Sequence, residues 1–98
     1  MNIADYQKAA YQNKTAHQFN TTNIEKEFLL LYGEVAEAFD AYKKQEPIGE
    51  ELADIAIYLF GLAEILQVNL DEEIQQKMAI NTTREYVQND QGYAEKIN

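Results

Sequence analysis

The sequence predicts an all-α fold in which four helices form a bundle. Three observations support this prediction. The 98 residues include one proline and four glycines, so helix-breaking residues are few. Apolar residues recur every three or four positions and do not alternate with polar ones, which is the helical period. The segments between the periodic stretches are short, and short connections favour antiparallel neighbouring helices.

Length and composition restrict what such a bundle does. Residues 1–98 suit a single domain, and a domain of this size buries a limited core, so self-association would add buried surface. The formal net charge of −9 disfavours nucleic acid polymers, because their affinity comes from Lys and Arg at phosphates. The chain has no cysteine, which excludes disulfides and thiolate metal sites and suits the cytoplasm. We find no secretory signal and no apolar run long enough to cross a membrane.

The first two helices are predicted from periodicity and end signals. Helix 1 is expected from about Ile3 to Ala16, followed by a loop over 17–23. Thr22 and Glu25 have the spacing of a capping box, which predicts the start of helix 2. Helix 2 is expected to end near Lys44, whose charge suits a helix C-terminus. Its main apolar face comprises Ile24, Phe28, Leu31, Val35, Ala38 and Tyr42.

The other two helices follow a proline. Pro47 suits the first position of helix 3, which covers the stretch IGEELADIAIYLFGLAEIL from Ile48 to Leu66. This helix is apolar nearly all round, so one face should pack in its own bundle and the other on a second subunit or over a ligand. Asn69 is the expected cap of helix 4, which should continue to about Val87. The tail, 88–98, is weakly specified and is expected to fray or to pack on a partner.

Helices 2 and 3 each carry a pair of acids beside apolar residues. Glu34 and Glu37 lie one turn apart on helix 2, and Glu51 and Asp54 lie one turn apart on helix 3. Antiparallel packing would bring the pairs together, and converging carboxylates repel one another unless cations bind them. Mg²⁺ prefers about six oxygen ligands, often including waters and phosphates. The pattern therefore indicates a site for Mg²⁺, which Mn²⁺ could also occupy.

Two other interpretations of these acids compete with a metal site. A single pair of acids at this spacing is more often a solvated face, whereas two pairs on consecutive helices beside apolar residues leave the two interpretations evenly balanced. A di-iron carboxylate bundle ranks last, because such sites use a Glu-x-x-His pair on each of two helices. The single histidine, His17, lies outside any such pair.

Three stretches of the sequence belong together: GEVAEAFDAYKK, EELADIAIYLFGLAEIL and KMAINTTREY. They resemble the MazG-like, all-α nucleoside triphosphate pyrophosphohydrolases, and the resemblance covers about residues 24–86. That family has a helix with Glu-Glu-x-x-Glu, a connection, and a helix with Glu-x-x-Asp. Gly33 stands where the family often has its first glutamate, so an auxiliary acid is missing. The remaining motif positions are matched by Glu34, Glu37, Glu51 and Asp54.

The resemblance implies a MazG-like four-helix protomer, and the two apolar faces of helix 3 predict that it assembles into a homodimer or homotetramer. The resemblance also implies Mg²⁺-dependent hydrolysis of a nucleoside triphosphate, with a deoxyribonucleotide favoured, to the monophosphate and pyrophosphate. Such an activity would clean the cytoplasmic nucleotide pool. Glu37 would accept the proton of the attacking water. The metal ligands would be Glu34, Glu37, Glu51 and Asp54.

Further residues are candidates for binding the substrate. Lys77, Asn81 and Arg84 share a face of helix 4, and the cations among them suit phosphate oxygens. Lys77 would stabilise the departing pyrophosphate and so counts as catalytic. The alternative is a surface face of ion pairs, which we favour for Arg84. Tyr58 could stack on a nucleobase, although packing is the commoner role of such a residue. His17 and Phe19 are weaker candidates for the base pocket.

One hypothesis of another class remains open. A non-catalytic MazG-like protein would bind nucleotides or act as a helical scaffold, with Gly33 marking the loss of activity. The retention of four acids argues against it, because a degenerate site is expected to lose them first. Release of pyrophosphate in the presence of Mg²⁺ distinguishes the two hypotheses.

Overall fold

The computed structural model describes residues 1–83, 86–88 and 94–96. Within these ranges the chain is helical, as predicted, apart from one short antiparallel pair of strands that the sequence did not lead us to expect. Tyr86 pairs with Lys96, and Gln88 pairs with Ala94. The elements in chain order are α1 (Ile3–Ala16), α2 (Ile24–Lys43), α3 (Gly49–Ile65), α4 (Leu70–Thr83), β1 (Tyr86–Gln88) and β2 (Ala94–Lys96).

Asparagines cap three of the helices. Asn2 and Asp5 form a reciprocal capping box at the start of α1. The cap of α2 is Asn23, whose Oδ1 accepts from the backbone N–H of Lys26 at 3.1 Å, so the predicted capping box of Thr22 is wrong by one residue. The Asn20 side chain holds the backbone of Asn23 in place from the preceding turn, which moves the helix start.

The starts of α3 and α4 differ in their agreement with prediction. Pro47 does not occupy the first position of α3, because the helix begins at Gly49 with Ile48 as its cap. The Ile48 carbonyl accepts the first helical hydrogen bond, from Leu52 at 2.9 Å. The predicted cap of α4 is confirmed, since Asn69 Oδ1 accepts from the backbone N–H of Glu72 at 3.2 Å.

Three helices end in the same way. Gln18, Gln45 and Gln67 follow α1, α2 and α3 with φ of 59°, 59° and 58°, the left-handed conformation that glycine usually supplies. In each case the next residue donates its N–H to a carbonyl five positions earlier, as from Glu46 to Ala41 at 2.9 Å. This is the Schellman arrangement, and it satisfies carbonyl groups that the helix end leaves free.

Helix α4 is shorter than predicted. It ends at Thr83, whereas Val87, the expected end, lies in β1. The hydroxyls of Thr82 and Thr83 each donate to a carbonyl three residues earlier, at 2.7 and 2.8 Å. Such bonding, together with two consecutive β-branched residues, weakens a helix, while Tyr and Val favour strands.

Helix α3 is the centre of the protomer. Both α1 and α2 pack on it, and α4 packs chiefly on α1. Gln7 ties α1 to the turn between α3 and α4, because its Nε2 donates to the Val68 carbonyl at 2.6 Å and to Glu64 at 3.0 Å, while its Oε1 accepts from Leu70 at 3.2 Å. Among the described residues the buried positions are few, and polar side chains are prominent among them: Gln7, Ala10, Lys14, Glu27, Ala38, Gly61, Leu62 and Ala63.

The inner face of α2 coincides only in part with the predicted apolar face, since Ala38 of that face is buried. On α2 the side chains that pack inward include Glu27 and Glu34, while Phe28 and Val35 of the predicted apolar face are about half exposed. Leu52 of α3 and Leu66, which follows the helix, are likewise exposed. Of the acids on these helices, Glu34, Glu51 and Asp54 are half-buried, and Glu37 is exposed. In the described part of the chain, no helix is both long and apolar enough to cross a membrane.

Candidate functional site

Three of the four predicted metal ligands meet where α2 packs on α3. Glu34 and Glu37 come from α2, and Glu51 comes from the first turn of α3. Each offers one carboxylate oxygen, and these three oxygens lie within 4.8 Å of one another. One cation could contact oxygens at this spacing, because carboxylates bind Mg²⁺ or Ca²⁺ at about 2.0–2.6 Å.

One carboxylate oxygen of Glu34, Oε2, is buried and has no hydrogen-bond partner among the described residues. A buried carboxylate oxygen without a partner is unfavourable, and such an atom needs a water, a proton or an ion. The donor set consists of carboxylate oxygens, which suits Mg²⁺ or Mn²⁺. The residues present therefore fit a hard divalent cation.

The electrostatics of the cluster are those of crowded like charges. Burial, followed by the charges of Glu37 and Asp54, raises the pKa of Glu34 above its ordinary value. Burial and the charges of Glu37 and Asp54 also raise the pKa of Glu51. Asp54 is outside the group of three convergent oxygens, yet its charge acts on both carboxyls. The four acids therefore form one electrostatic unit.

A cavity of about 350 Å³ lies near this cluster, because Leu30 and Tyr58 in its wall are one helical turn from Glu34 and Asp54. Tyr58 connects the two, because it lines the cavity while burial and the charges of Glu34, Glu27 and Asp54 raise the pKa of its hydroxyl. The volume is within the range of small-molecule sites. The cavity is lined by Ala10, Asn13, Lys14, Phe19, Asn20, Lys26, Glu27, Leu30, Ile57 and Tyr58.

A buried ion pair forms part of the cavity wall, and the sequence analysis missed it. Lys14 of α1 donates from Nζ to Oε1 of Glu27 on α2, and the Lys14 ammonium also lies over the Tyr58 ring, 5.0 Å from its centroid. A signal was present in the spacing. Gln7, Ala10 and Lys14 recur every three or four residues, and Glu27 is seven residues before Glu34. Polar residues at inward positions of this kind are easily taken for surface.

Gly61 of α3 makes room for this lysine. A Cβ atom at Gly61 would lie 2.7 Å from Lys14 Cε and 3.3 Å from Lys14 Cδ, closer than side chains pack. Gly33, by contrast, has nothing within 4 Å of such an atom, so a larger residue would fit where the MazG-like pattern has glutamate.

The aromatic candidates fall in different places. Tyr58 lies at the cavity, with the Lys14 ammonium against one face of its ring. Phe19 also lines the cavity and remains 57% exposed, so it offers a ring to a bound molecule. His17 is not part of the wall but stacks on Phe19, with ring centroids 5.6 Å apart. Their roles in binding a base stay predictions.

The phosphate candidates of α4 are apart from the acids within the protomer. Lys77 and Asn81 are exposed on α4, which packs chiefly on α1, whereas the acids lie between α2 and α3. Arg84 lies outside the described residues. The structure thus brings the acids, Tyr58 and the cavity together but does not bring Lys77 to them, and the phosphate role of α4 stays a prediction.

Comparisons with known proteins bear on this arrangement. A family model described as the MazG-like family matches residues 20–98. Among solved structures, the cyanophage S-2L MazG-like pyrophosphohydrolase, bound to dGDP and three catalytic Mn²⁺ ions per active site, is similar to the chain. It is 25% identical, the match covers 99% of this chain and 93% of that one, and the TM-score is 0.81. The chain matches no curated protein sequence significantly.

Proposed function

Because this chain belongs to the MazG-like family, we propose that it is an Mg²⁺-dependent pyrophosphohydrolase that converts a deoxyribonucleoside triphosphate and water into the monophosphate and pyrophosphate. One observation carries the proposal: convergent oxygens of Glu34, Glu37 and Glu51, with Glu34 Oε2 lacking a partner in the described chain, lie near a cavity of about 350 Å³. The dGDP and Mn²⁺ ions in the active site of the cyanophage enzyme support both the ligand class and the metal requirement. The activity would serve to remove unwanted nucleotides from the cytoplasmic pool.

The four acids would have distinct tasks in this reaction. Glu34, Glu51 and Asp54 would hold metal, and Glu37 would share in this. Bound Mg²⁺ or Mn²⁺ would supply positive charge for the phosphate oxygens and acidify the attacking water. Glu37 is the exposed member of the three convergent carboxylates, so it can both meet a water and pass a proton to solvent.

Bond changes at the substrate define the products. The water oxygen would attack the α-phosphorus, its proton would go to a Glu37 carboxylate oxygen, and the bond from the α-phosphorus to the bridging oxygen would break. Pyrophosphate then leaves as one unit and carries the bonding electrons. Lys77 is exposed on α4 and is proposed to stabilise this leaving charge, with Asn81 donating to phosphate or ribose. We propose that a second copy of the chain presents these residues, because α4 packs chiefly on α1 in the protomer.

The proposal is tested by identifying the products. A panel of deoxyribonucleoside and ribonucleoside triphosphates is incubated with Mg²⁺ or Mn²⁺, and pyrophosphate and orthophosphate are measured separately. Pyrophosphate and monophosphate are expected. Diphosphate with orthophosphate would mean attack at the γ-phosphorus and would overturn the assignment of roles. Binding without any turnover would favour the alternative of a non-catalytic nucleotide-binding protein.

Variants separate chemistry from folding. Glu37→Gln should abolish turnover while the helical circular dichroism spectrum stays unchanged, because the side chain is exposed. Glu25→Gln is the matched control, an exposed acid on the same helix that lies outside the cluster. Lys77→Ala should reduce turnover more than it weakens binding of the monophosphate, since the monophosphate lacks the leaving group that Lys77 would contact.

A further inference from the structure

In the ion pair of the cavity wall, the carboxylate of Glu27 is bound by protein groups at both of its oxygens. Glu27 is 2% exposed, and each of its carboxylate oxygens has a partner. Oε1 accepts from Lys14 Nζ, and Oε2 accepts from Asn20 Nδ2 at 3.2 Å. The Asn20 side chain is in turn bonded to the backbone of Asn23, at 2.9 and 3.1 Å. Glu27 is therefore held in place from two sides.

The other member, Lys14, keeps capacity for a ligand. It is 7% exposed, and an ammonium has three N–H donors and no acceptor. One donor goes to Glu27, which is its hydrogen-bond acceptor within the described chain, and the ammonium also faces the Tyr58 ring. A further donor remains beside the cavity that Lys14 lines. Lys14 Nζ therefore presents a buried, fixed and positively charged N–H donor to the cavity, and this donor has room for an acceptor from a ligand.

We propose that Lys14 determines specificity in the nucleotide site, selecting a nucleobase with a carbonyl oxygen on the edge that enters the cavity over a base with an amino group there. This inference rests on the proposed function, because it takes the cavity as the base pocket. A carbonyl oxygen accepts the free N–H of Lys14. An amino group is itself a donor, so it cannot accept the N–H of Lys14. Both groups would then be buried without a hydrogen-bond partner, and this is how polar sites reject close analogues.

Gly61 and Glu27 position this lysine. Glu27 fixes the ammonium, and Gly61 leaves the space through which the Lys14 stem passes, since a Cβ there would lie 2.7 Å from Lys14 Cε. Gly61 does not line the cavity. A substitution at Gly61 therefore displaces the ammonium without adding a group to the cavity wall. Its effect on base preference then shows whether the position of the Lys14 ammonium matters.

The experiment measures equilibrium binding of matched monophosphates in the presence of Mg²⁺. Each pair differs mainly in a carbonyl oxygen against an amino group: dIMP with dAMP, and dUMP with dCMP. In the pair whose ring size the cavity accepts, the carbonyl member should bind at least about tenfold more tightly, by calorimetric titration. A preference below about threefold, a reversed preference, or no binding of any of the four would overturn the inference.

Three variants attribute the preference to Lys14. The double variant Lys14→Met with Glu27→Gln removes the ammonium without leaving a buried carboxylate unpaired, and it should reduce the ratio to below about threefold. Gly61→Ala should reduce the ratio in the same direction. Lys8→Met is the matched control, an exposed lysine of α1 that does not line this cavity, and it should keep the ratio. An unchanged ratio in the double variant, with a native melting transition, would overturn the role of Lys14.

The outcome separates this inference from the proposed function. Carbonyl preference that depends on Lys14, in a protein that releases no pyrophosphate from any triphosphate, would support the inference and contradict the activity. Pyrophosphate release with no such preference would support the activity and overturn the inference.

Discussion

At the scale of single residues, two glycines within helices have opposite surroundings. Replacing Gly33 by Ala should raise the free energy of unfolding by about 1 kcal/mol, because Ala favours the helix and its Cβ meets nothing within 4 Å. Gly61→Ala should lower this free energy by about 1 kcal/mol, since overpacking against Lys14 outweighs the same helical gain. Urea denaturation with unchanged slope measures both. A stabilised Gly61→Ala protein would show that the Lys14 stem moves aside freely.

The acidic cluster makes stability depend on pH. Burial and neighbouring acids raise the pKa of Glu34 and Glu51 in the folded chain. A carboxyl with a higher pKa in the folded state binds more protons there than in the unfolded state, so deprotonation disfavours folding. In chelator, the melting temperature should therefore fall as pH rises from the ordinary value of 4.5 through the raised pKa, and stay reduced above it.

Two comparisons check that this fall comes from the cluster. Glu34→Gln should lessen it, whereas Glu25→Gln, outside the cluster, should not. Saturating Mg²⁺ should raise the melting temperature at neutral pH, because an ion that binds the folded state stabilises it. The electrostatic account would be contradicted by a melting temperature that rises as pH increases above 4.5, or by one that saturating Mg²⁺ does not change.

Spacing and residue type predicted part of the site at this scale. The convergence of Glu34, Glu37 and Glu51 followed from acids one turn apart on consecutive helices. The ion pair of Lys14 and Glu27 did not follow, because its two members lie on α1 and α2 and no local pattern joins them. Only the packing of both helices on α3 brings the two side chains together.

At the scale of the elements, the helix ends contain a correctable strain. Gln45 has φ of 59°, a conformation that is unfavourable for residues with a Cβ and ordinary for glycine. Gln45→Gly should raise the free energy of unfolding by about 1 kcal/mol, measured by urea denaturation. Gln45→Ala is the control and should bring no gain, because Ala has the same steric conflict. Equal effects of the two substitutions would show that the Gln45 side chain, and not the backbone conformation, determines the change in the free energy of unfolding.

Periodicity predicted the four helices but not their inward sides. Apolar spacing identified α2 and α3 because the 3.6-residue period is local. It assigned Phe28 and Val35 to the main apolar face of α2, whereas the side that packs inward is rotated from Phe28 and Val35 toward Glu27 and keeps Ala38 of that face. A hydrophobic pattern reports burial in whatever assembly the chain forms, so it cannot distinguish contacts within a protomer from contacts between protomers.

At the scale of the whole molecule, we propose that a second copy covers these exposed faces. The exposed apolar stripe of α2 has the alternating spacing of four and three residues that suits packing between helices. A stripe of this length left in water is unusual for a monomer and typical of an interface. Its members are Phe28, Tyr32, Val35, Phe39 and Tyr42, which are between 45% and 71% exposed.

This proposal predicts a dimer or tetramer by light scattering at micromolar concentration. Phe39→Lys should shift the protein toward the monomer, because it would place a charge in the interface. Gln12→Lys adds a charge at an exposed position of α1 and should leave the molar mass unchanged. A compact monomer for the unaltered chain would contradict the proposal.

The position of the acids between α2 and α3 also bears on how the chain survives proteases. In the connection between these helices, residues 44–47 are exposed. Trypsin cleaves after lysine, so the peptide bond that follows Lys44 is a possible cleavage site. Repulsion between carboxylates acts to part the two helices that this connection joins, and bound ions would remove it. Chelated protein should therefore be cut after Lys44 sooner than Mg²⁺-saturated protein, as mass spectrometry of timed digests would show. Metal supply would then govern the lifetime of the protein as well as its chemistry.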